Sequence, residues 1–206
     1  MPPVRLVVYS DYLCPWCYNA WVRMERLEQE LGDAVSVEWR SYLLRPNATG
    51  GRDLERFREY TRSWSRPAAE PESGEFRPWQ GDAGPPSHSL PAHLAAKAAA
   101  RVSPPAFRAL HRRLLRAYFA ESRDVSDRAT LRALWDELGL PAAGFAAIDA
   151  PELRARVLAE HEEALALGVT GVPAVRLAES DVAIVGAHPP DLYRRWVARA
   201  RAAAQS

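Results

Sequence analysis

Apolar positions along this chain keep two different periods, and the changes of period mark out its elements. Val4 to Tyr9 is a short apolar run that predicts a buried strand. From Pro15 to Leu31, the residues Ala20, Met24, Leu27 and Leu31 fall on one helical stripe, and Gly32 stands where a helix would end. Val35, Val37, Trp39, Ser41 and Leu43 then alternate with Ser36, Glu38, Arg40 and Tyr42, a period of two that predicts a second strand. The opening is therefore β-α-β.

A long middle section carries no strand pattern. Asp53 to Trp64 is helical, with Leu54, Phe57, Thr61 and Trp64 on one side. Arg66 to Pro86, rich in Pro and Gly, reads as a surface loop; loops of that length are often functional or mobile. Helices are expected over Pro91 to Arg101, Pro105 to Phe119 and Asp127 to Leu138, the last with Ser126 as N-cap and Gly139 as stop. Ala142 to Ile148 suits one short helix.

The last third returns to mixed structure. Pro151 to Leu167 predicts a helix with Leu153, Val157 and Ala164 inward and Gly168 closing it. Ala174 to Leu177 and Val182 to Val185 read as a hairpin around Glu179-Ser180-Asp181. Pro190 to Ala203 is the final helix, with Leu192, Trp196 and Ala200 inward. The order is β-α-β, a helical block, then α-β-β-α. Residues 1–45 and 150–206 thus form one expected domain, and residues 46–149 a helical cap inserted into it.

Composition narrows the function. The 206 residues are 48% hydrophobic, enough for a proper core, and the net charge is +1. Lys97 is the only lysine, and the arginines are spread among acids, so no polyanion or nucleic-acid partner is indicated. Arg108, Arg112, Arg113 and Arg116 read as solvated helix faces. No apolar stretch is long enough for a bilayer. The first residues lack the basic region and long apolar core of a secretory leader, so a cytoplasmic protein is expected.

The two cysteines change the picture most. Cys14 and Cys17 are the only ones in the chain, and they stand three positions apart at the junction of the first strand and first helix. In a reducing compartment such a pair points to redox catalysis or metal binding before a structural staple. A zinc site needs two further ligands; His88 and His93 are the nearest histidines, at a spacing wrong for one helix face. With Cys14 at the N-cap and Pro15 at N1, the Cys14 sulfur is expected to accept the amide of Trp16 or Cys17, and the helix end favours thiolate over thiol. Cys17, just under one turn further on, is the expected resolving thiol. Trp16 supplies no charge and could shield the site or pack on a substrate. Val172-Pro173, before the strand at Ala174, reads either as an ordinary trans proline opening an edge strand or as a cis proline; in the second case Val172 offers its backbone to an extended partner.

The run Asp11-Tyr12-Leu13-Cys14-Pro15-Trp16-Cys17-Tyr18 resembles the active-site segment of DsbA-like thioredoxin-fold oxidoreductases, in particular a FrnE-like cytosolic branch. Ala92-His93, Ala117-Tyr118-Phe119 with Asp124-Val125-Ser126-Asp127, and Gly168-Val169-Thr170-Gly171-Val172-Pro173-Ala174 with Gly186-Ala187 are similar to that branch as well. The resemblance implies an α/β thioredoxin fold with an inserted all-helical cap, thiol–disulfide exchange by Cys14 and Cys17, and a cis Pro173. It implies a thiol- or disulfide-bearing protein or small molecule as partner, no bound cofactor or metal, and glutathione as a possible co-substrate. The superfamily also holds glutathione-dependent isomerases of the 2-hydroxychromene-2-carboxylate type, which typically lack the second thiol. A peptide-holding module with a vestigial dithiol is the third reading. Asp11 and Tyr12 could touch a substrate. His93 reads first as a histidine hydrogen-bonded at the seam between cap and core, and second as a cleft group assisting proton transfer. His111 and His161 read as surface or seam residues, and His188 as a cap-region residue.

Overall fold

The computed structural model describes residues 2–48, 50, 53–82 and 84–203. Its strands are β1 (Val4–Ser10), β2 (Val35–Ser41), β3 (Ala174–Leu177) and β4 (Ala183–Val185), in the sheet order β2-β1-β3-β4. β1 pairs parallel with β2 from Val4↔Val35 to Ser10↔Ser41, and antiparallel with β3, which forms the hairpin with β4. The helices are α1 (Pro15–Leu31), α2 (Leu54–Thr61), α3 (Ser65–Ala68), α4 (Leu90–Val102) and α5 (Pro104–Glu121). They continue with α6 (Arg128–Glu137), α7 (Ala142–Phe145), α8 (Pro151–Ala166) and α9 (Pro190–Ala203). This is an α/β thioredoxin-like fold with a mixed four-stranded sheet and a helical insertion.

Alternation along the strands sends side chains to both faces. Leu6 and Val8 meet Met24 and Leu27 of α1, with Tyr193 and Val197 of α9, on one face. Val7 and Tyr9 meet Ala164 of α8, with Val169, on the other. The largest cluster lies among the helices of the insertion, around Trp64, Leu110, Leu114, Phe119 and Trp135, and it takes in Tyr12, Leu13, Tyr18 and Trp21 from the first β-α junction. The helical insertion and the first β-α junction therefore share one apolar cluster.

Several local expectations shift. The N-cap of α6 is Asp127, whose carboxylate accepts the Thr130 amide, while Ser126 bonds Asp124 and Ser87. On α9 the buried residues are Tyr193 and Val197, one position round from the predicted stripe, with Trp196 at its margin. The stretch from Arg66 to Pro86 begins inside α3 and is pinned down beyond it. Trp79 is buried against Phe57 and Tyr118, and the Arg77 amide bonds the Phe119 carbonyl at 2.8 Å. Gly74 lies flat on Tyr18: a Cβ there would stand 2.4 Å from the ring, so only glycine fits this approach. The buried Asn19 of α1 fixes both sides of the segment, donating to Pro67 and accepting from Gly74.

Candidate active site

The chain leaves β1 through a turn built on Asp11. Its carboxylate is fully buried; Oδ1 accepts the Leu13 amide at 2.6 Å and Oδ2 the Leu44 amide at 2.8 Å. Its carbonyl accepts the Cys14 amide at 3.2 Å, closing the turn. Cys14 takes the N-cap position in extended conformation and Pro15 opens α1, as the helix preference for proline at N1 requires.

The cap chemistry differs from expectation. The Cys14 side chain accepts no capping hydrogen bond; the Cys17 amide bonds the Cys14 carbonyl instead, at 3.0 Å. Cys14 Sγ donates to the carbonyl oxygen of Val172 at 3.2 Å. The extended backbone of Cys14 turns its sulfur away from the helix axis and towards the loop before β3. There the Val172–Pro173 peptide bond is cis, and the Pro173 carbonyl accepts the Gly186 amide at 2.7 Å.

Cys17 lies deeper, with no exposed surface, against 6% for Cys14. Burial, reinforced by the neighbouring Cys14 sulfur, pushes the Cys17 thiol well above its ordinary range. The Asp11 amide donates to the same sulfur at 3.4 Å, and it and the nearby Ser10 hydroxyl work against that shift. Both thiols are free in this structure. Trp16 is the most exposed residue of the turn at 36%; Pro15 and Val172 are half-buried and Pro173 is buried.

Asp11, Tyr12 and His93 do not line an open cleft. All three are buried, together with His111, which sits at the seam, its ring against Trp21 of α1 and Trp39 of β2. His93 Nε2 lies 3.7 Å from Asp11 Oδ2. The Tyr12 ring packs between His93 and His111, each 4.9 Å away centre to centre, and its hydroxyl is 3.0 Å from His111 Nδ1. Burial, with Asp11 and Glu160 nearby, pushes the Tyr12 phenol well up, so it keeps its proton. Burial, with His93 and Lys97 nearby, pushes His111 well down. A protonated Tyr12 and a neutral His111 share this hydrogen bond.

An ion pair that no sequence pattern singled out lies next to this group. Lys97 Nζ lies 2.6 Å from Glu160 Oε2 and also donates to the Trp39 carbonyl, while Glu160 accepts the Ser41 amide. A signal existed: Glu160 falls on the inward stripe Leu153, Val157, Ala164 of α8. His161 takes the Leu43 amide, His188 faces the Val185 carbonyl and His88 the Ser87 hydroxyl. Arg108, Arg112 and Arg113 pair with Glu28, Glu25 and Glu137. Among the described residues no group of three or more His, Cys, Asp or Glu could hold a metal ion, and no helix is long and apolar enough to cross a membrane.

Residues 5–198 match the model of the DSBA-like thioredoxin domain. The chain belongs to that family. It carries the Cys-x-x-Cys pair of a DsbA-like thiol–disulfide oxidoreductase, Cys14 and Cys17. Among solved structures it is similar to a putative protein disulfide isomerase from Nitrosomonas europaea, with 20% identity over 96% of this chain and 97% of that one, and a TM-score of 0.76. A probable DsbA oxidoreductase from Streptomyces coelicolor matches with 25% identity over 97% and 90%, TM-score 0.74. The cytosolic disulfide reductase DsbM from Pseudomonas aeruginosa matches with 22% identity over 98% and 99%, TM-score 0.74; that reductase is also known with GSH. No curated protein sequence matches the chain.

Proposed function

We propose that the chain is a cytoplasmic dithiol reductase of FrnE-like type that acts on glutathione-containing or protein mixed disulfides. The observation that carries this reading is the contact between Cys14 Sγ and the Val172 carbonyl. It sets the outer sulfur of a Cys-x-x-Cys pair against a backbone edge able to hold an extended disulfide partner. Cys14 is the nucleophile. Its thiolate attacks the substrate disulfide, forming a Cys14 mixed disulfide and expelling one thiolate. Cys17 then attacks Cys14 Sγ, closing the Cys14–Cys17 bridge and releasing the second thiol. Trp16 and Pro15 flank the entering substrate, and Val172 and Pro173 align it.

Three things support this over the alternatives. The family carries the dithiol chemistry. A similar chain is a cytosolic reductase known with GSH, which makes glutathione the co-substrate we propose. An isomerase that needs only bound glutathione has no use for a second, fully buried thiol one turn along the helix. On the same reading residues 1–45 and 150–206 form the redox domain, and 46–149 the cap that shelters Cys17.

The test is trapping. Cys17→Ser should accumulate a Cys14 mixed disulfide with glutathione or protein partners, and Cys14→Ala should form none. Titration of the Cys14–Cys17 couple in glutathione buffers should give a potential near or below that of the cytosolic pool, about −220 to −320 mV. A potential as high as about −120 mV would reverse the proposed direction.

A further inference from the structure

Between the ends of β1 and β2 and helices α4 and α5 lies a cavity of about 10 Å³, room for a single water molecule. Ser10, Tyr12, Arg40, Ser41, His93, Lys97 and His111 form its polar lining. Three of these bring a buried polar atom that makes no hydrogen bond within the protein: His93 Nε2, His111 Nε2 and Ser41 Oγ. The three residues are 4%, 3% and 1% exposed. Buried polar groups are almost always satisfied, and a water with several polar partners is the ordinary way to do so in a cavity of this size. The partners are complementary: each imidazole nitrogen donates or accepts according to its tautomer, and Ser41 can both donate and accept. Ser10 belongs to two sets at once. It lines the cavity, and its hydroxyl lies near the Cys17 sulfur, which the amide of the next residue, Asp11, bonds at 3.4 Å.

We propose that this cavity binds one water and that Ser10, the water and His93 form a proton path to and from Cys17. The proposal rests on the dithiol reading and supplies what that reading lacks. Cys17 must lose a proton to attack, yet it has no exposed surface through which to release one. Along the path, the Cys17 proton passes to Ser10 Oγ, the Ser10 hydroxyl proton to the water, and a water proton to His93 Nε2. The Cys17 thiolate forms its bond to Cys14 Sγ as the bond from Cys14 to the substrate sulfur breaks. The departing thiolate takes a proton from solvent, and His93 later releases its own. When the bridge is reduced again, the same path returns a proton to Cys17.

His93 Nε2 stands 3.7 Å from the Asp11 carboxylate of the β1–α1 turn. The other charged and titratable groups around it are Lys97 on its own helix, held by Glu160 of α8, Arg40 of β2, paired with Glu38 and Glu163, the neutral His111 of α5 and the half-buried His161 of α8. Ser10 and His93 are positioning and relay groups; the reacting atoms remain the two sulfurs.

The experiment mixes reduced protein with glutathione disulfide, quenches rapidly with acid, and follows the Cys14–glutathione adduct by mass spectrometry over pH 6 to 9. Ser10→Ala and His93→Gln should form the adduct at the wild-type rate within about twofold and resolve it about 10- to 100-fold more slowly. In the variants the resolution rate should climb steeply with pH, while in wild type it should be nearly flat. An unchanged adduct lifetime in Ser10→Ala overturns the path, as does equal slowing of both steps. If His93→Gln does not fold, Ser10→Ala alone decides. Failure of wild type to form any adduct would instead remove the dithiol reading itself, and the path with it.

Discussion

Cys14 Sγ and the Val172 carbonyl oxygen are 3.2 Å apart although 158 positions separate the two residues in sequence. That contact places the outer sulfur at the substrate side and leaves Cys17 Sγ enclosed behind it. The two thiols should therefore label in strict order. Iodoacetamide at neutral pH should modify Cys14 at least about tenfold faster than Cys17, because burial raises the Cys17 thiol as well as hiding it. Peptide mapping of a time course checks this. Equal labelling in the folded protein would contradict the placement of both sulfurs.

Asp11 should matter for stability before it matters for chemistry. Its two carboxylate oxygens hold the amides of Leu13 and Leu44, tying the cysteine turn to the segment after β2. Asp11→Ala leaves two backbone donors without that acceptor in a closed environment, and should destabilise by about 2–4 kcal/mol. Asp11→Asn retains one acceptor oxygen and should lose less. Urea unfolding of both variants, compared through the midpoint at constant slope, measures the difference.

Lys97 and Glu160 predict a strongly non-additive pair. Burial pulls the lysine down while Glu160 opposes that shift; the carboxylate, which burial alone would raise, is held low by Lys97 and the Ser41 amide. Removing Glu160 strands the buried lysine, whereas removing Lys97 leaves Glu160 with Arg156 at 3.0 Å and the Ser41 amide. Glu160→Met should therefore destabilise by about 3–5 kcal/mol and Lys97→Met by less, with the double variant clearly below the sum. A double-mutant cycle that came out additive would mean that the two charges do not depend on each other.

Much of this fold was legible because its periods are clean. α1, β3 and α9 run over the residues that the pattern predicts, and the β-α junction puts the dithiol at a helix start. The site behind it was not legible. Ser10 and Ser41 are ordinary strand residues in sequence; they become site residues only because parallel pairing sets them side by side. α4 misled differently: its alanines let neighbouring elements approach on nearly every side, so His93 and Lys97 are buried on a helix with no polar face to reveal them. The sulfur cap failed as an expectation because helix position fixes Cys14's backbone but not the direction of its side chain. The only lysine of an arginine-rich chain and a glutamate on an apolar stripe were the two available clues.

Stability should fall on mild acidification, and His111 should be one cause. Its native affinity for protons is well below the free imidazole's because it is buried against His93 and Lys97. The unfolded chain takes up a proton near pH 6.5 that the folded chain refuses, so the contribution is complete above about 6.5 and declines as pH falls. The slope reaches at most about 1.4 kcal/mol per pH unit for one such group. His88 and His161, shifted down mainly by burial, act in the same direction. His111→Phe keeps the stack on Trp21, which has a 4.2 Å centroid separation, and removes the titration. Urea unfolding at pH 7.5 and 5.5 should show a smaller difference in this variant than in wild type.

The segment beyond α3 offers the last prediction. Its Pro- and Gly-rich composition suggests a mobile flap, but three anchors oppose that: Trp79 in the aromatic cluster, the Arg77 amide on Phe119, and Gly74 on Tyr18 beside Asn19. Trp79 contributes most, since its ring packs on both Phe57 and Tyr118. Trp79→Ala should destabilise by about 3–5 kcal/mol, and Gly74→Ala should also destabilise, because its methyl group would collide with the Tyr18 ring on α1. Limited proteolysis under native conditions then separates a pinned segment from a free one. Wild type should resist cleavage between residues 69 and 82, and Trp79→Ala should be cut there first. Rapid cleavage of wild type within that span would mean that the segment moves freely over the face of α1 one turn beyond Cys14.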